Sequence, residues 1–357
     1  MKRMERNPER FETLDLFTAV GRAKGLRLDN MADVDQFCAS VFDSLNTSRA
    51  NVNLLHGRRV ESLFAYVVGA LGVCKMIKVE DSGDVFVKGP PVRTPDYRLI
   101  LNDGRPLLVE VKNFHSASIR KRFVLQKEYF EHLERYAALH AVPLKIAVYF
   151  SKLNRWSLLS PRAFDVTHKG LEISFVNAIA KNEMSELGDV YISTLPELRL
   201  ELMADEDEAN EIGDAGQAII TFCSSKISCA GVELVDELDQ RIAFYFMRFG
   251  RWSTTSEAIV KNGKLLGVVF QCAPDELSED ERFAAIGELS SMVGEAYNEH
   301  TIVDGYPIAL DVPVDPEAFA LSIPSEYSSE NLPLLRLSVR PNWDFVDNVT
   351  DNLDRSW

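Results

Sequence analysis

Asp96, Glu110 and Lys112 are the residues whose types and spacing could do chemistry, and all three fall within TPDYRLILNDGRPLLVEVKNF, residues 94–114. Two acids and an amine in that order suit a centre that holds a divalent cation and directs water at a phosphodiester. The chemistry requires that they meet. Tyr97–Leu101 and Pro106–Lys112 are apolar, strand-like runs, and the intervening Asn102-Asp103-Gly104-Arg105 carries the Asp-Gly pair favoured by tight hairpin turns. Side chains alternate along a strand, so Glu110 and Lys112 share one face while Val109 and Val111 take the other. Folding at Asp103-Gly104 brings Asp96 beside Glu110, although 13 residues separate them.

Adjacent carboxylates repel, and one would take up a proton unless a cation sits between them. Mg²⁺ relieves that repulsion with octahedral oxygen coordination, using one or two carboxylates, several waters and substrate phosphate oxygens. Asp96 and Glu110 meet the demand, with the Val111 carbonyl as a further ligand. Lys112 is then placed to position an attacking water or to stabilise charge on the phosphoryl oxygens.

Pro95-Asp96 followed by Glu110-Val111-Lys112 resembles the signature of the PD-(D/E)XK nuclease superfamily, which includes restriction enzymes, Holliday-junction resolvases and RecB-type nucleases. The resemblance covers roughly residues 50–160. It implies an α/β, restriction-endonuclease-like core in the order helix, three strands, helix, strand (αβββαβ), and a Mg²⁺ or Mn²⁺ cofactor. Gly57–Leu71 has helical apolar spacing at Val60, Leu63, Phe64, Val67, Val68 and Leu71 and supplies the first helix. Glu61 on it matches the first-helix acid that reaches the metal in many members; a solvated glutamate is the plainer reading. Cys74–Val79 or Asp84–Val87 supplies the first strand, and the hairpin the next two. Phe123–His140, with Leu125, Tyr129, Leu133, Tyr136 and Leu139 in a stripe, is the expected second helix, and Leu144–Phe150 the closing buried strand.

Arg120, Lys121 and Arg122 precede that second helix, where cations and free N–H groups favour phosphate; a solvated basic loop is the alternative. Gln126 is similar to the glutamine of RecB-like second helices and is a further nucleic-acid contact by resemblance. The family's Gln-x-x-x-Tyr spacing is absent, because Phe130 holds the tyrosine position and Tyr129 comes one residue early. His115, close after Lys112, is either a substrate contact or a surface-loop histidine.

The whole chain carries a net charge of −15, which argues superficially against a polyanionic partner. Residues 1–160, however, hold 25 Lys+Arg against 18 Asp+Glu, net +7, whereas the remainder holds 14 against 36, net −22. Polyanion binding follows local potential, so the basic part is the part expected to meet nucleic acid. At 357 residues, three regions are expected: an N-terminal helical region 1–50 whose Asp29–Leu45 stripe packs on the core or forms a dimer contact, a nuclease-like domain 51–160, and an acidic mixed α/β domain 161–357 opening at Leu159-Ser160-Pro161.

In that last domain Asp189–Ser193, Leu198–Met203, Ala218–Phe222, Ile242–Phe249, Leu265–Gln271 and Leu334–Val339 read as strands and Glu279–Tyr297 as a helix. The acidic run 204–216 lacks the ligand alternation of a calcium loop and reads as a solvated loop. No HExxH or paired Cys/His spacing, no phosphate loop ending in Lys-Ser/Thr and no G-x-S-x-G elbow is present, which removes zinc-site, NTPase and serine-hydrolase readings.

Five scattered cysteines, no apolar run of spanning length and no apolar segment after the charged N-terminus predict a cytoplasmic, non-membrane protein. These observations point to a metal-dependent endonuclease, with DNA favoured over RNA, whose C-terminal domain regulates, targets or oligomerises it through a partner protein or regulatory ligand. Because one centre cuts one strand, a homodimer would serve two-strand cleavage. The alternative is a nuclease fold used for nucleic-acid binding or signal sensing with little catalysis.

Overall fold

Asn51 and Gly72 bracket the helix on which the first sheet is laid. In the computed structural model, which describes residues 1–4, 7–80, 83–116, 118–205, 212–213, 215–276, 282–315, 323–324 and 326–346, three helices open the chain. They are α1 (Glu12–Lys24), α2 (Met31–Ala50) and α3 (Val52–Leu71). The Asn30 side chain caps α2 by accepting from Ala32 N–H, and Asn51 caps α3 by accepting from Leu54 N–H. Gly72 closes α3 at φ 79°, a left-handed position that glycine takes without steric penalty. Val60, Leu63, Phe64, Val67 and Val68 on α3 are fully buried. Helical spacing alone identified that face.

The strands β1 (Cys74–Val79), β2 (Tyr97–Leu101), β3 (Pro106–Phe114), β4 (Phe123–Gln126), β5 (Leu144–Phe150) and β6 (Arg155–Leu159) follow in chain order. Helix α4 (Lys127–His140) lies between β4 and β5. Five strands make one sheet in the order β1-β2-β3-β5-β6, with β3 and β5 parallel and every other pair antiparallel. The α4 residues Phe130, Leu133, Tyr136 and Ala137 bury against Leu108, Ile146, Val148, Phe150 and Leu159. Phe64 of α3 meets Tyr97 and Trp156 at ring separations of 5.6 and 5.5 Å. Full burial of each Leu or Ile here contributes roughly 1.5–3 kcal/mol, so β3 and β5 lie in the most constrained part of the unit.

The order helix, three strands, helix, strand is present, with β4 interposed. That insertion corrects the second-helix expectation. Phe123–Gln126 is extended because it pairs antiparallel with β8 (Gly170–Ile173), beside β7 (Asp165–Thr167), and the helix begins only at Lys127. Phe123 and Leu125 alternate inward with the strand period, while Leu125, four residues before Tyr129, also falls on the helical stripe. Of the two options for the first strand, Cys74–Val79 is formed and residues 84–87 are not in a strand.

The first unit comprises Met1–Leu187 with Tyr297–Ala318 and Arg340–Trp357; the second comprises Gly188–Ala296 with Phe319–Val339. The first therefore runs past residue 160. β6 belongs to its sheet, and β8 pairs with β4. Short helix α5 (Phe175–Ala180) follows, and Glu183 reaches back to Ser160 N–H at 2.7 Å.

The second unit places β9 (Tyr191–Thr194) between Ala284–Glu288 and Leu334–Leu337. A second, antiparallel sheet orders β10 (Leu198–Met203), β11 (Ser224–Cys229), β12 (Val232–Glu233), β13 (Ser253–Lys261) and β14 (Lys264–Ala273) as β12-β11-β10-β14-β13.

Three expectations are corrected in this unit. Ile242–Phe249 is not a strand but part of α6 (Glu237–Phe249): Asp236 caps it by accepting from Leu238 and Asp239 N–H, and Ile242, Ala243, Tyr245 and Phe246 bury one face. Residues 218–222 form no strand, pairing beginning instead at Ser224. The helix expected over 279–297 starts at Leu289 as α7 (Leu289–Thr301), since Ala284–Glu288 is held extended by β9. Glu279 and most of the acidic run 204–216 lie outside the described residues. Among the described residues no helix is long and apolar enough to cross a membrane.

Candidate metal centre

The turn comes first. Gly104 has φ 90°, and Asp103 braces the reversal by accepting from Arg105 N–H at 2.9 Å. The resulting register pairs Tyr97 with Val109, so the residue before Tyr97 faces the residue after Val109: Asp96 stands opposite Glu110. Here β2 ends while β3 continues alongside β5, leaving the β2 side of β3 without a strand. Asp96 fills that edge. Its Oδ2 accepts from Val111 N–H at 2.7 Å, and its backbone carbonyl accepts from Glu80 N–H at 2.8 Å. An extended residue sends its N–H and C=O to the same neighbour, so the Val111 carbonyl also lies on the Asp96 side.

Glu110 is only 1% exposed. Its Oε1 accepts from the Lys112 ammonium and from the Tyr129 hydroxyl, while Oε2 is buried without a hydrogen-bond partner. Lys112 also donates to the Tyr129 hydroxyl at 3.0 Å. Burial and the Glu110 charge push the Asp96 carboxyl up to about 7, against the pull of Lys112 and the Val111 N–H, with Glu61 adding to the rise. For Lys112, burial works against the charge, but Glu110, Tyr129 and Asp96 outweigh it and hold the ammonium above the ordinary lysine range. Lys112 is therefore a fixed cation rather than a proton acceptor near neutrality.

The two carboxylates fit a hard cation. An unpartnered buried carboxylate oxygen costs free energy, and beside a second acid it favours a positive ion over a proton donor. Among the described residues no group of three or more His, Cys, Asp or Glu forms a ligand cluster. A two-carboxylate set with a backbone carbonyl is the kind Mg²⁺ accepts, since it retains waters.

Glu61 lies on α3 with its carboxylate bonded to Arg58 at 2.8 Å and its backbone carbonyl accepting from the Tyr97 hydroxyl at 2.9 Å. It is close enough for its charge to raise the proton affinity of Asp96. The basic triplet stands before β4: Arg120 and Lys121 are exposed, whereas Arg122 is engaged by Asp165 and, at 3.5 Å, Glu172. Gln126 is exposed at the end of β4. His115 Nδ1 and Ser151 Oγ are 3.0 Å apart.

Sequence reasoning missed two participants. Tyr129 contacts both Glu110 and Lys112, and the Arg93 guanidinium lies 4.2 Å from the centroid of its ring. The signal for Tyr129 was present in its early position, and β4 supplies the cause: with the helix starting at Lys127, residue 129 lies in its first turn, over the end of β3. Arg93 gave no sequence signal.

No protein-family model matches this chain, and no curated protein does. Among solved structures it is similar to the Holliday junction resolvase of the hyperthermophilic archaeon Archaeoglobus fulgidus, with 18% identity over 30% of this chain and 84% of the resolvase, at a TM-score of 0.24.

Proposed function

We propose that this chain is a nuclease that hydrolyses phosphodiester bonds of nucleic acid, DNA ahead of RNA, at the centre formed by Asp96, Glu110 and Lys112. The observation that carries the reading is the hairpin register: it sets Asp96 against Glu110, whose inner oxygen has no partner, with the Lys112 ammonium beside them. A PD-(D/E)XK-type assignment rests on these residues and their spacing.

Asp96, Glu110 and the Val111 carbonyl would hold Mg²⁺ or Mn²⁺. When bound, such an ion lowers the pKa of a coordinated water and offsets charge on the phosphoryl oxygens. Lys112, kept protonated by Glu110, donates to a non-bridging phosphoryl oxygen or orients the attacking water. Tyr129 fixes Glu110 and Lys112 in one rotameric arrangement through its hydroxyl. Glu61 supplies a third acid at the margin. Arg120, Lys121 and Gln126 are assigned to the substrate backbone, with Arg122 joining them only on release from its carboxylates. The second unit is assigned regulation, targeting or oligomerisation of the first.

The test is cleavage of supercoiled plasmid, linear duplex, branched DNA, single strands and RNA with Mg²⁺ or Mn²⁺. Asp96→Ala and Glu110→Ala should abolish metal-dependent cleavage in chains that melt cooperatively, and Lys112→Ala should suppress turnover more than metal binding. No cleavage of any substrate by the parent chain, or undiminished cleavage by the three variants, would remove the reading.

A further inference from the structure

Arg93 differs from four cations of the same unit that are held by carboxylates. Arg58 is held by Glu61, Arg98 by Glu80, Arg122 by Asp165 and Lys112 by Glu110. Arg93 is exposed and makes no ion pair among the described residues; its guanidinium lies over the Tyr129 ring. The Lys112 ammonium is 4.9 Å from the centroid of that same ring, so one aromatic side chain carries two cations beside Glu110. Only one of the two is neutralised.

The segment bearing Arg93 is anchored. Its N–H donates to the His132 carbonyl at 3.1 Å, and Arg135 donates to the Pro91 carbonyl at 2.6 Å, which ties residues 91–93 to α4 at two points. Stacking on an aromatic face restricts a guanidinium at a gain of about 0.5–1 kcal/mol while leaving its N–H edge open. A planar, oriented, uncompensated donor edge is matched to the oxygens of a phosphate.

The geometry points to Arg93 on its Tyr129 pedestal as a phosphate subsite that grips the DNA phosphodiester next to the one cleaved. The inference rests on the nuclease reading of the adjacent centre and adds to it a substrate-positioning group that the Asp-Glu-x-Lys pattern does not contain. Arg93 binds backbone and takes no part in bond making.

The experiment measures anisotropy of a fluorescein-labelled duplex DNA with the full chain across a KCl series without divalent metal, alongside steady-state cleavage in Mg²⁺. Losing one phosphate contact should lower the slope of log affinity against log salt by about 0.9. Arg93→Ala should show that loss, weaken binding several-fold and raise KM with kcat held within about twofold, the pattern of a lost uniform-binding contact. Arg93→Lys should restore the slope. If Arg93→Ala does not melt like the parent, Arg93→Gln, which keeps the stem on the ring without the charge, gives the same comparison.

An unchanged slope, weakened affinity at constant slope, or no duplex binding by the parent chain overturns the subsite. A slope change in a chain that cleaves nothing retains the subsite and removes the nuclease reading; cleavage with an unaltered slope does the reverse.

Discussion

Replacing Gly170 by alanine should damage the first unit far more than replacing Gly104, although both glycines have positive φ. At Gly170, φ is 135° and an added Cβ would lie 2.1 Å from the Leu125 carbonyl oxygen, 2.7 Å from Lys127 N and 3.0 Å from Gln126 C. These are backbone atoms of β4 and of the first residue of α4, so no rotamer change relieves them. Gly104 has φ 90° and nothing within 4 Å of the same point. Its substitution incurs backbone strain alone, of order 1–3 kcal/mol. At Gly170 a similar strain is joined by overpacking of about 1–3 kcal/mol or more.

With domain stability of roughly 5–15 kcal/mol, and about 2–4 °C per kcal/mol for a unit of this size, Gly170→Ala should melt several degrees to more than 10 °C lower. Gly104→Ala should fall by a few degrees. The assay is thermal unfolding by circular dichroism, with intrinsic fluorescence as a second probe. Equal melting temperatures for the two variants would refute the claim that β8 closes on β4 through a position only glycine can occupy. The consequence reaches the centre, because the β4 to α4 junction sets where Tyr129 stands. Gly170→Ala should therefore also weaken cleavage at temperatures where the chain remains folded.

Three further outcomes are expected. Tyr129→Phe keeps the ring under Arg93 but removes the hydroxyl bonded to Glu110 and Lys112. At about 1.5–3 kcal/mol for a hydrogen bond to a charged group, kcat should drop by roughly 10- to 100-fold with KM little changed, and an unaltered kcat would deny Tyr129 a positioning role.

In the second unit, burial pushes Asp189 up to about 7 from the ordinary 3.8, with Glu288 adding to the rise against hydrogen bonds from Ser290 and Val190. Between those values the folded chain retains a proton that the unfolded chain has lost, so this group's contribution falls as pH rises from about 4 to 7 and then levels, by up to roughly 4 kcal/mol. Asp189→Asn should flatten the loss of melting temperature between pH 5 and pH 8 relative to the parent; parallel curves would contradict the assignment. Lys145 and Glu183 form a buried pair with side chains 9% and 3% exposed. Lys145→Met alone should destabilise by about 3–5 kcal/mol, and adding Glu183→Leu should recover much of it, so additive losses in denaturant titrations would count against an ion-pair origin.

What the sequence disclosed tracks how local the causes are. α3 and the β2–β3 hairpin are fixed by their own residues, through apolar period, an asparagine cap and an Asp-Gly turn, and both were legible. The Asp96–Glu110 juxtaposition was legible for the same reason, since a hairpin register is a local property. Phe123–Gln126 was misassigned because its extended form depends on Gly170–Ile173, some 45 residues downstream, while Leu125 falls at helical spacing from Tyr129. Ile242–Phe249 erred in the opposite sense: a β-rich composition of Phe, Tyr and Ile concealed an Asp236 cap and an inward face at 242, 245 and 246. Tyr129 and Arg93 meet only after β4 and α4 are placed, so their pairing was unavailable to any window of sequence.

The same distinction bears on how the centre is held together. Lys112 offsets one oxygen of Glu110, and Val111 N–H offsets one oxygen of Asp96, yet the Glu110 charge still raises the proton affinity of Asp96, and Glu110 Oε2 stays bare. If the cluster served only the fold, Glu110→Gln would strip the buried Lys112 of its partner and destabilise the chain, as loss of one member of a buried ion pair does, by the same amount with or without divalent metal. A centre shaped for an added cation behaves differently. Divalent metal should then raise the melting temperature of the parent chain by linkage, in proportion to RT ln(1 + [M]/Kd), and should leave Glu110→Gln unmoved. Stabilisation of Glu110→Gln by metal equal to that of the parent would locate the cation elsewhere on the protein and leave the Glu110–Lys112–Tyr129 cluster a structural one.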